Sequence, residues 1–186
     1  MQTLIKVLFC LVILAWGGIF VAENCSGDSS SKSSQKTALK AVPIFNKVDE
    51  LRNTLSDIGI GSVRPWRRDA VGWLASSDYF EIGKAGSKGL KNNLAYYLDS
   101  EQEHQVNTVK LKLNINNLAE RELALAAFAE ISQITLNHLG LLIPPPIKEA
   151  LEAGRERKYE EDRFMVTITT DNDPQLPSWR FVVESK

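Results

Sequence analysis

Apolar and polar residues alternate in five short stretches in the middle and the last part of the chain, and this pattern predicts β-strands. In the clearest stretch, Val109 to Ile115, every second residue is apolar and the residues between are Lys or Asn. Strands with one apolar and one polar face are typical of antiparallel sheets. The other stretches are 78–83, 94–100, 164–169 and 179–183. We therefore predict about five antiparallel strands, a three-strand meander followed by a C-terminal hairpin.

A different spacing, in steps of three and four, predicts a helix before the strands. Apolar residues recur at these steps from Ile44 to Ile58, which places them on one helical face. Pro43 is suited to the first turn of a helix and Gly59 to its end. We expect this N-terminal helix to pack on the core.

Two further helices are predicted between the third and fourth strands. The long one runs from Asn117 to Leu139 and is closed by Gly140; Asn117 and Glu120 match a capping box. A short helix follows from Pro146 to Gly154, after two prolines in extended conformation. The order helix, three strands, two helices, two strands predicts an α+β fold in which the long central helix and the short helix cover the sheet.

The start of the chain has a different composition from the rest. The residues from Val7 to Ala22 carry no charge and would form about 24 Å of helix, somewhat less than the ~30 Å hydrocarbon core of a bilayer. A tract rich in Ser and Lys follows. We predict a hydrophobic signal-anchor or transmembrane segment over 1–23, a linker over 24–38, and a single α+β domain over 39–186.

Whether the hydrophobic segment is retained stays open at this stage. Cleavage after Ala22 would place the large Phe20 at −3, where a small residue is preferred. Lipidation of Cys25 would need small residues directly before it, and the chain has Ala-Glu-Asn there. We favour a retained single-pass anchor with the domain outside the cytoplasm. The alternatives are a cleaved chain that is secreted or periplasmic, and a lipoprotein.

The net charge and the positions of the cysteines limit the kinds of partner expected for this protein. The net charge of −1 gives no reason to expect the basic face of a nucleic-acid-binding protein. Cys10 and Cys25 both precede the predicted domain, so its core must hold without an internal disulfide. Cys25 remains available for a link between two chains. The expected partners are the membrane, through the N-terminal segment, and an unidentified protein.

Catalytic chemistry has little support in the sequence. The two histidines, His104 and His138, have no Cys, Asp or Glu at metal-ligand spacing, so we predict no metal site, no His-based triad and no cofactor. The stretch 83–91 spaces glycines and lysines and could present backbone N–H groups to an anion, although a hairpin loop is the favoured interpretation. A hydrolase would need carboxylates such as those of Glu81, Asp99, Glu101 and Glu103 to converge in the fold.

The strongest surface candidate is the stretch Arg64 to Trp73, which reads RPWRRDAVGW. Trp and Arg are enriched at interface hot spots, and the candidate binding residues are Arg64, Trp66, Arg67 and Arg68. The favoured interpretation of the stretch is nevertheless that Trp66 and Trp73 hold an irregular segment on the core while the arginines are only solvated, and a binding patch is the alternative.

The sequence does not fix a biochemical activity. The favoured hypothesis is a membrane-tethered extracytoplasmic protein-interaction domain with no evident catalytic site. The alternative is an envelope hydrolase whose carboxylate or Lys site assembles only in the fold. An exposed Trp–Arg surface would favour the first, and a pocket that holds two or more carboxylates would favour the second.

Overall fold

A computed structural model describes residues 42–173 and 176–186. The predicted anchor, the predicted linker with Cys25, and the start of the predicted domain lie outside these residues. The α-helices are α1 (Val48–Asp57), α2 (Arg121–His138) and α3 (Pro145–Glu152), with 3-10 helices at Pro43–Asn46 and Leu118–Glu120. The strands are β1 (Arg67–Arg68), β2 (Trp73–Ser76), β3 (Phe80–Ile82), β4 (Asn92–Ser100), β5 (Thr108–Asn114), β6 (Arg157–Glu160), β7 (Phe164–Asp171) and β8 (Ser178–Ser185). None of the described helices is long and apolar enough to cross a bilayer.

The strands form one antiparallel sheet in the order β1-β2-β4-β5-β8-β7-β6, and β3 pairs with β4 alongside β2. The predicted α+β class and antiparallel sheet are confirmed, but the predicted number of strands is wrong, because the described residues form eight strands instead of five. The additional strands are β1, β2 and β6. In β1 and β6 no residue is buried, so neither has the apolar alternation by which a strand is recognised in a sequence.

The register of the sheet separates a buried face from a polar face. Tyr96, Leu111, Phe181 and Ile168 are neighbours across four strands and all are buried. The next residues along the strands include Lys110 and Lys112, which are only half-buried. Helix α2 packs over β3, β4 and β5, and α3 packs over β6 and β7. The helices therefore enclose the core on the apolar face.

The roles predicted for Gly140 at the end of α2 and for the prolines before α3 are largely confirmed. Gly140 follows α2 with a φ of +70°, and the Leu141 N–H donates to the Leu136 carbonyl at 2.9 Å, as in a Schellman motif. Helix α3 begins one residue earlier than predicted, at Pro145, and Pro144 is extended.

Only one of the two side-chain hydrogen bonds of the predicted capping box is present. The Asn117 side chain accepts a hydrogen bond from the Ala119 N–H at 3.1 Å, as expected. The Glu120 carboxylate does not return to the Asn117 N–H, which donates to Asn92 Oδ1 at 2.7 Å. Glu120 accepts from the Lys84 N–H instead, because the fold brings the loop between β3 and β4 against the start of α2.

Candidate interaction surface

The stretch proposed from the sequence as a binding surface forms the edge hairpin of the sheet. Strands β1 and β2 pair antiparallel, with Arg68 opposite Trp73, and the turn between them is closed by a hydrogen bond from the Asp69 N–H to the Gly72 carbonyl at 2.8 Å. The expectation of an irregular segment is therefore corrected at this point. Its local sequence gave little strand signal because β1 has only two residues, both exposed.

Trp66 and Trp73 form a stacked pair beside this hairpin. Their ring centroids are 6.4 Å apart and the ring planes differ by 18°. Both side chains are only half-buried, although Trp66 also packs against the core. The Trp66 indole N–H donates to the Glu103 carbonyl at 2.9 Å, so the polar edge of the indole is satisfied within the domain.

Helix α1 fixes the chain that leads into Trp66. The Arg52 guanidinium donates to the Arg64 carbonyl at 2.8 Å and to the Val63 carbonyl at 3.2 Å. The Val63 N–H donates to the Ser56 hydroxyl oxygen at 2.9 Å. These bonds tie the backbone before Trp66 to a helix, so the position of the indole is set by rigid structure.

A cleft of about 640 Å³ opens beside the tryptophan pair. One wall is the first turns of α1, and the other is the turn after β4. The lining residues are Asn46, Lys47, Val48, Asp49, Glu50, Arg52, Pro65, Trp66, Trp73, Glu103 and His104. Sequence reasoning missed the α1 residues and the role of Glu103 and His104, because no local pattern links them to Trp66; Trp66 and Glu103 are 37 residues apart.

Most charges in the cleft are already paired. Lys47 is 2.8 Å from Glu50 and Arg52 is 2.7 Å from Asp49, each measured between nitrogen and carboxylate oxygen. The described part of the chain offers no ion-pair partner for the Glu103 carboxylate. We will call this region, lined by α1, Trp66, Trp73 and the 103–104 turn, the tryptophan cleft.

The three predicted arginines have different environments. Arg64 forms an ion pair with Asp78 at 2.6 Å, with both side chains more than 60% exposed. Arg67 and Arg68 lie on the edge strand β1 and are exposed. Within 42–173 and 176–186 neither has a hydrogen-bonded or ion-paired partner for its guanidinium group. The structure therefore places Trp66 on the wall of the tryptophan cleft and two unpaired arginines on the edge beside it.

The carboxylates that a hydrolase would need do not form one buried site. Glu81 forms an ion pair with Lys91 at 2.7 Å, and Glu103 belongs to the tryptophan cleft. Asp99 and Glu101 do line a common cleft of about 440 Å³. Both are exposed, and Asp99 is 4.0 Å from Lys110. Two solvated carboxylates at a surface lack the desolvation that prepares an acid or base for catalysis.

Two groups whose pKa is shifted lie outside the tryptophan cleft and are hydrogen-bonded to other residues of the domain. Burial raises the pKa of Tyr97 to about 12, and a hydrogen bond to Tyr79 acts in the same direction. The pKa of Glu156 is lowered because its carboxylate accepts hydrogen bonds from the N–H and hydroxyl of Thr170. Neither group lines the tryptophan cleft. The described residues also contain no cluster of His, Cys, Asp or Glu that could hold a metal ion.

The glycine- and lysine-rich stretch 83–91 connects β3 to β4, as the hairpin-loop interpretation predicted. Its Lys84 N–H, one of the donors considered for an external anion, is bonded to the carboxylate of Glu120. A Cβ placed on Gly83 would also collide with that carboxylate. An acidic side chain of the protein itself therefore occupies this part of the loop.

Comparison with known proteins gives no further guide to function. No family model matches the chain, and no match was found among curated proteins or solved structures.

Proposed function

We propose that the domain is a protein-interaction module whose partner binds at the tryptophan cleft and the adjoining edge of the sheet. The observation that carries the proposal is the half-buried Trp66–Trp73 pair on the wall of the cleft. Aromatic side chains held rigidly at a cleft are the usual centres of binding energy at protein interfaces. The arginines on the neighbouring edge are suited to the polar rim of such an interface.

We also propose that the N-terminal hydrophobic segment holds this domain at a membrane, outside the cytoplasm. The support is in the sequence: an uncharged stretch from Val7 to Ala22 is followed by a polar tract without apolar residues. Such a tract would let the domain meet its partners away from the bilayer surface.

The interaction can be tested by placing a photo-crosslinking residue at Lys47, on the rim of the cleft. The matched control is Lys148 in the first turn of α3, whose side chain is 56% exposed, the same as that of Lys47 directly before α1. Helix α3 packs over β6 and β7, at the opposite edge of the sheet. The full chain would be expressed in its native cells, where its partner is present, and the cells would then be irradiated.

We expect one adduct of discrete mass from position 47 and none of that mass from position 148. The same adduct should disappear when Trp66→Ala is added, because the anchor of the interface is then removed. Identical adducts from both positions, or an adduct at position 47 that survives Trp66→Ala, would count against the proposal. Far-UV circular dichroism and urea unfolding of the variant would establish that the fold is retained.

A further inference from the structure

We infer that the partner presents an acidic, extended segment that adds as a strand to the outer edge of β1, next to Trp66. This inference rests on the interaction function proposed above and specifies the chemistry of the partner. Three features of β1 support the inference: its outward-facing backbone groups, the positive charge of its side chains, and its position beside the tryptophan cleft.

The outer edge of β1 has backbone groups available for pairing. In an antiparallel pair, residues whose N–H and C=O groups point to the partner strand alternate with residues whose groups point away. The Asp69 N–H donates to Gly72, and Arg67 is opposite Leu74 in the same register, so these two residues face β2. The N–H and C=O of Arg68 consequently point outward, where no other strand of the described residues lies beside β1.

The charge of this edge selects the class of strand that can pair with it. Arg67 and Arg68 are consecutive in a strand, so their side chains lie on opposite faces of the sheet, and both are exposed. Of the nearby carboxylates, Asp78 pairs with Arg64 and Asp69 accepts a hydrogen bond from the Val71 N–H at 2.8 Å, whereas Glu103 in the tryptophan cleft has no ion-pair partner among the described residues. Guanidinium groups bind carboxylates through paired hydrogen bonds, so a segment with carboxylates on both faces fits this edge.

Other occupants fit less well. A second copy of the chain pairing through its own β1 would bring four arginines together, and like charges on neighbouring strands are destabilising. Charged side chains also protect sheet edges against nonspecific pairing. The arginines of β1 therefore disfavour pairing with a neutral or basic strand. An acidic strand is different, because its carboxylates are attracted to the same arginines. Pairing along β1 would carry the segment towards Pro65 and Trp66 on the wall of the tryptophan cleft, where an apolar residue could contact the indole.

The test uses the full chain in detergent and three labelled decapeptides measured by fluorescence anisotropy. The first carries consecutive Asp and Glu residues with one Leu at its end. The second has Lys in place of the acids, and the third keeps the acids but carries two prolines, which remove ladder hydrogen bonds. A single-stranded oligonucleotide serves as a non-peptide polyanion. The variant is Arg67→Glu with Arg68→Glu.

The control is Arg155→Glu with Arg157→Glu, which makes the same change in net charge near the other edge of the sheet. Arg155 and Arg157 are exposed, and Arg157 lies on the edge strand β6. The described residues likewise contain no side-chain partner for either of them. Urea unfolding of both double variants would establish that each retains the stability of the parent protein.

We expect the acidic peptide to bind and the Lys and Pro peptides to bind at least about tenfold more weakly. Loss of the Arg67 and Arg68 contacts should weaken binding by about tenfold or more, the equivalent of ~1.4 kcal/mol, and the control variant should leave it unchanged. Hydrogen exchange should show new protection of the Arg68 amide in the complex. Equal loss in both double variants, equal binding of the Pro peptide, or tighter binding of the oligonucleotide would overturn the inference.

The two proposals can fail separately. If the crosslink at position 47 depends on Trp66 while the acidic peptide does not bind, the interaction function stands and the acidic strand is excluded. If neither experiment gives a positive result, the interaction function fails as well.

Discussion

At the scale of single residues, a buried hydroxyl pair joins the sheet to the helix above it. Tyr96 and Thr135 are fully buried, and their hydroxyl oxygens are 2.6 Å apart. Thr135 donates its own proton to the Ile131 carbonyl at 2.7 Å, so the Tyr96 hydroxyl is the donor between the two. Burial raises the pKa of Tyr96 well above its usual value, and the group is neutral at all ordinary pH values.

Replacement of Tyr96 by Phe should lower the free energy of unfolding by about 0.5–1.5 kcal/mol, the usual net value of one intramolecular hydrogen bond. The loss is limited because Thr135 keeps its bond to Ile131. The matched control is Tyr159→Phe, whose hydroxyl donates to Glu161 at 2.8 Å at an exposed position and should matter less. Urea unfolding of both variants is the measurement. A loss from Tyr96→Phe no larger than that from Tyr159→Phe would contradict this account.

At the scale of elements, the hairpin of β1 and β2 depends on a close backbone contact at its turn. Gly72 has a φ of +141°, and a Cβ there would lie 2.6 Å from the Ser100 carbonyl oxygen on β4. Backbone atoms of a central strand cannot move away easily. The glycine therefore allows the hairpin, and with it Trp73, to lie against the rest of the sheet.

Gly72→Ala should destabilise the protein by about 1–3 kcal/mol more than Gly89→Ala, the added cost being typical of overpacking. Gly89 is a suitable control because it also has a positive φ, +73°, but has open space where the Cβ would be. Both variants carry the cost of a non-glycine residue at positive φ, and this cost is larger at the +141° of Gly72 than at the +73° of Gly89, so the difference combines that strain with the contact with Ser100. Urea unfolding gives the comparison, and equal losses would show that the turn can relax.

At the scale of the whole molecule, the proposed function has two parts, an interaction surface and an attachment to a membrane. The domain carries its candidate interaction surface at one edge of the sheet, whereas the residues proposed to hold it at a membrane precede it in the chain. The two proposals rest on different parts of the chain, because the described residues that line the tryptophan cleft belong to the domain.

We expect intact mass measurement of the protein isolated from membranes to give the full 20.8 kDa chain, because the residues around Ala22 and Cys25 suit neither cleavage nor lipidation. Alkylation of the unfolded, reduced chain should add two groups, one each at Cys10 and Cys25. A chain cut after Ala22 would add one, and a chain cut after Gly27 would add none. Either result would contradict a retained anchor and support a cleaved chain. A lipid mass on Cys25 would support a lipoprotein. Omission of the reductant would reveal any disulfide dimer through Cys25.

The sequence by itself determined the α+β class, the presence of the three α-helices, and five of the eight strands in the described part of the chain, although the first helix, predicted from Pro43, is a 3-10 helix at Pro43–Asn46 followed by α1 from Val48. Those features depend on local periodicity: alternation in stretches such as 109–115, and three-and-four spacing with Pro and Gly at the helix ends. Each such pattern is complete within a few residues and reflects which side of an element is buried. The arginines and Trp66 could also be selected locally, by residue type.

Only the tertiary structure decided the edge strands, the partner of Glu120 and the shape of the candidate site. Strand β1 is a strand only because β2 pairs with it, and the tryptophan cleft exists because α1, the hairpin and the 103–104 turn meet in space. Glu120 and Lys84, 36 residues apart, likewise share no local pattern. The physical reason is that short exposed segments gain little from their own apolar residues, so their conformation and contacts are set by neighbours that are remote in the chain.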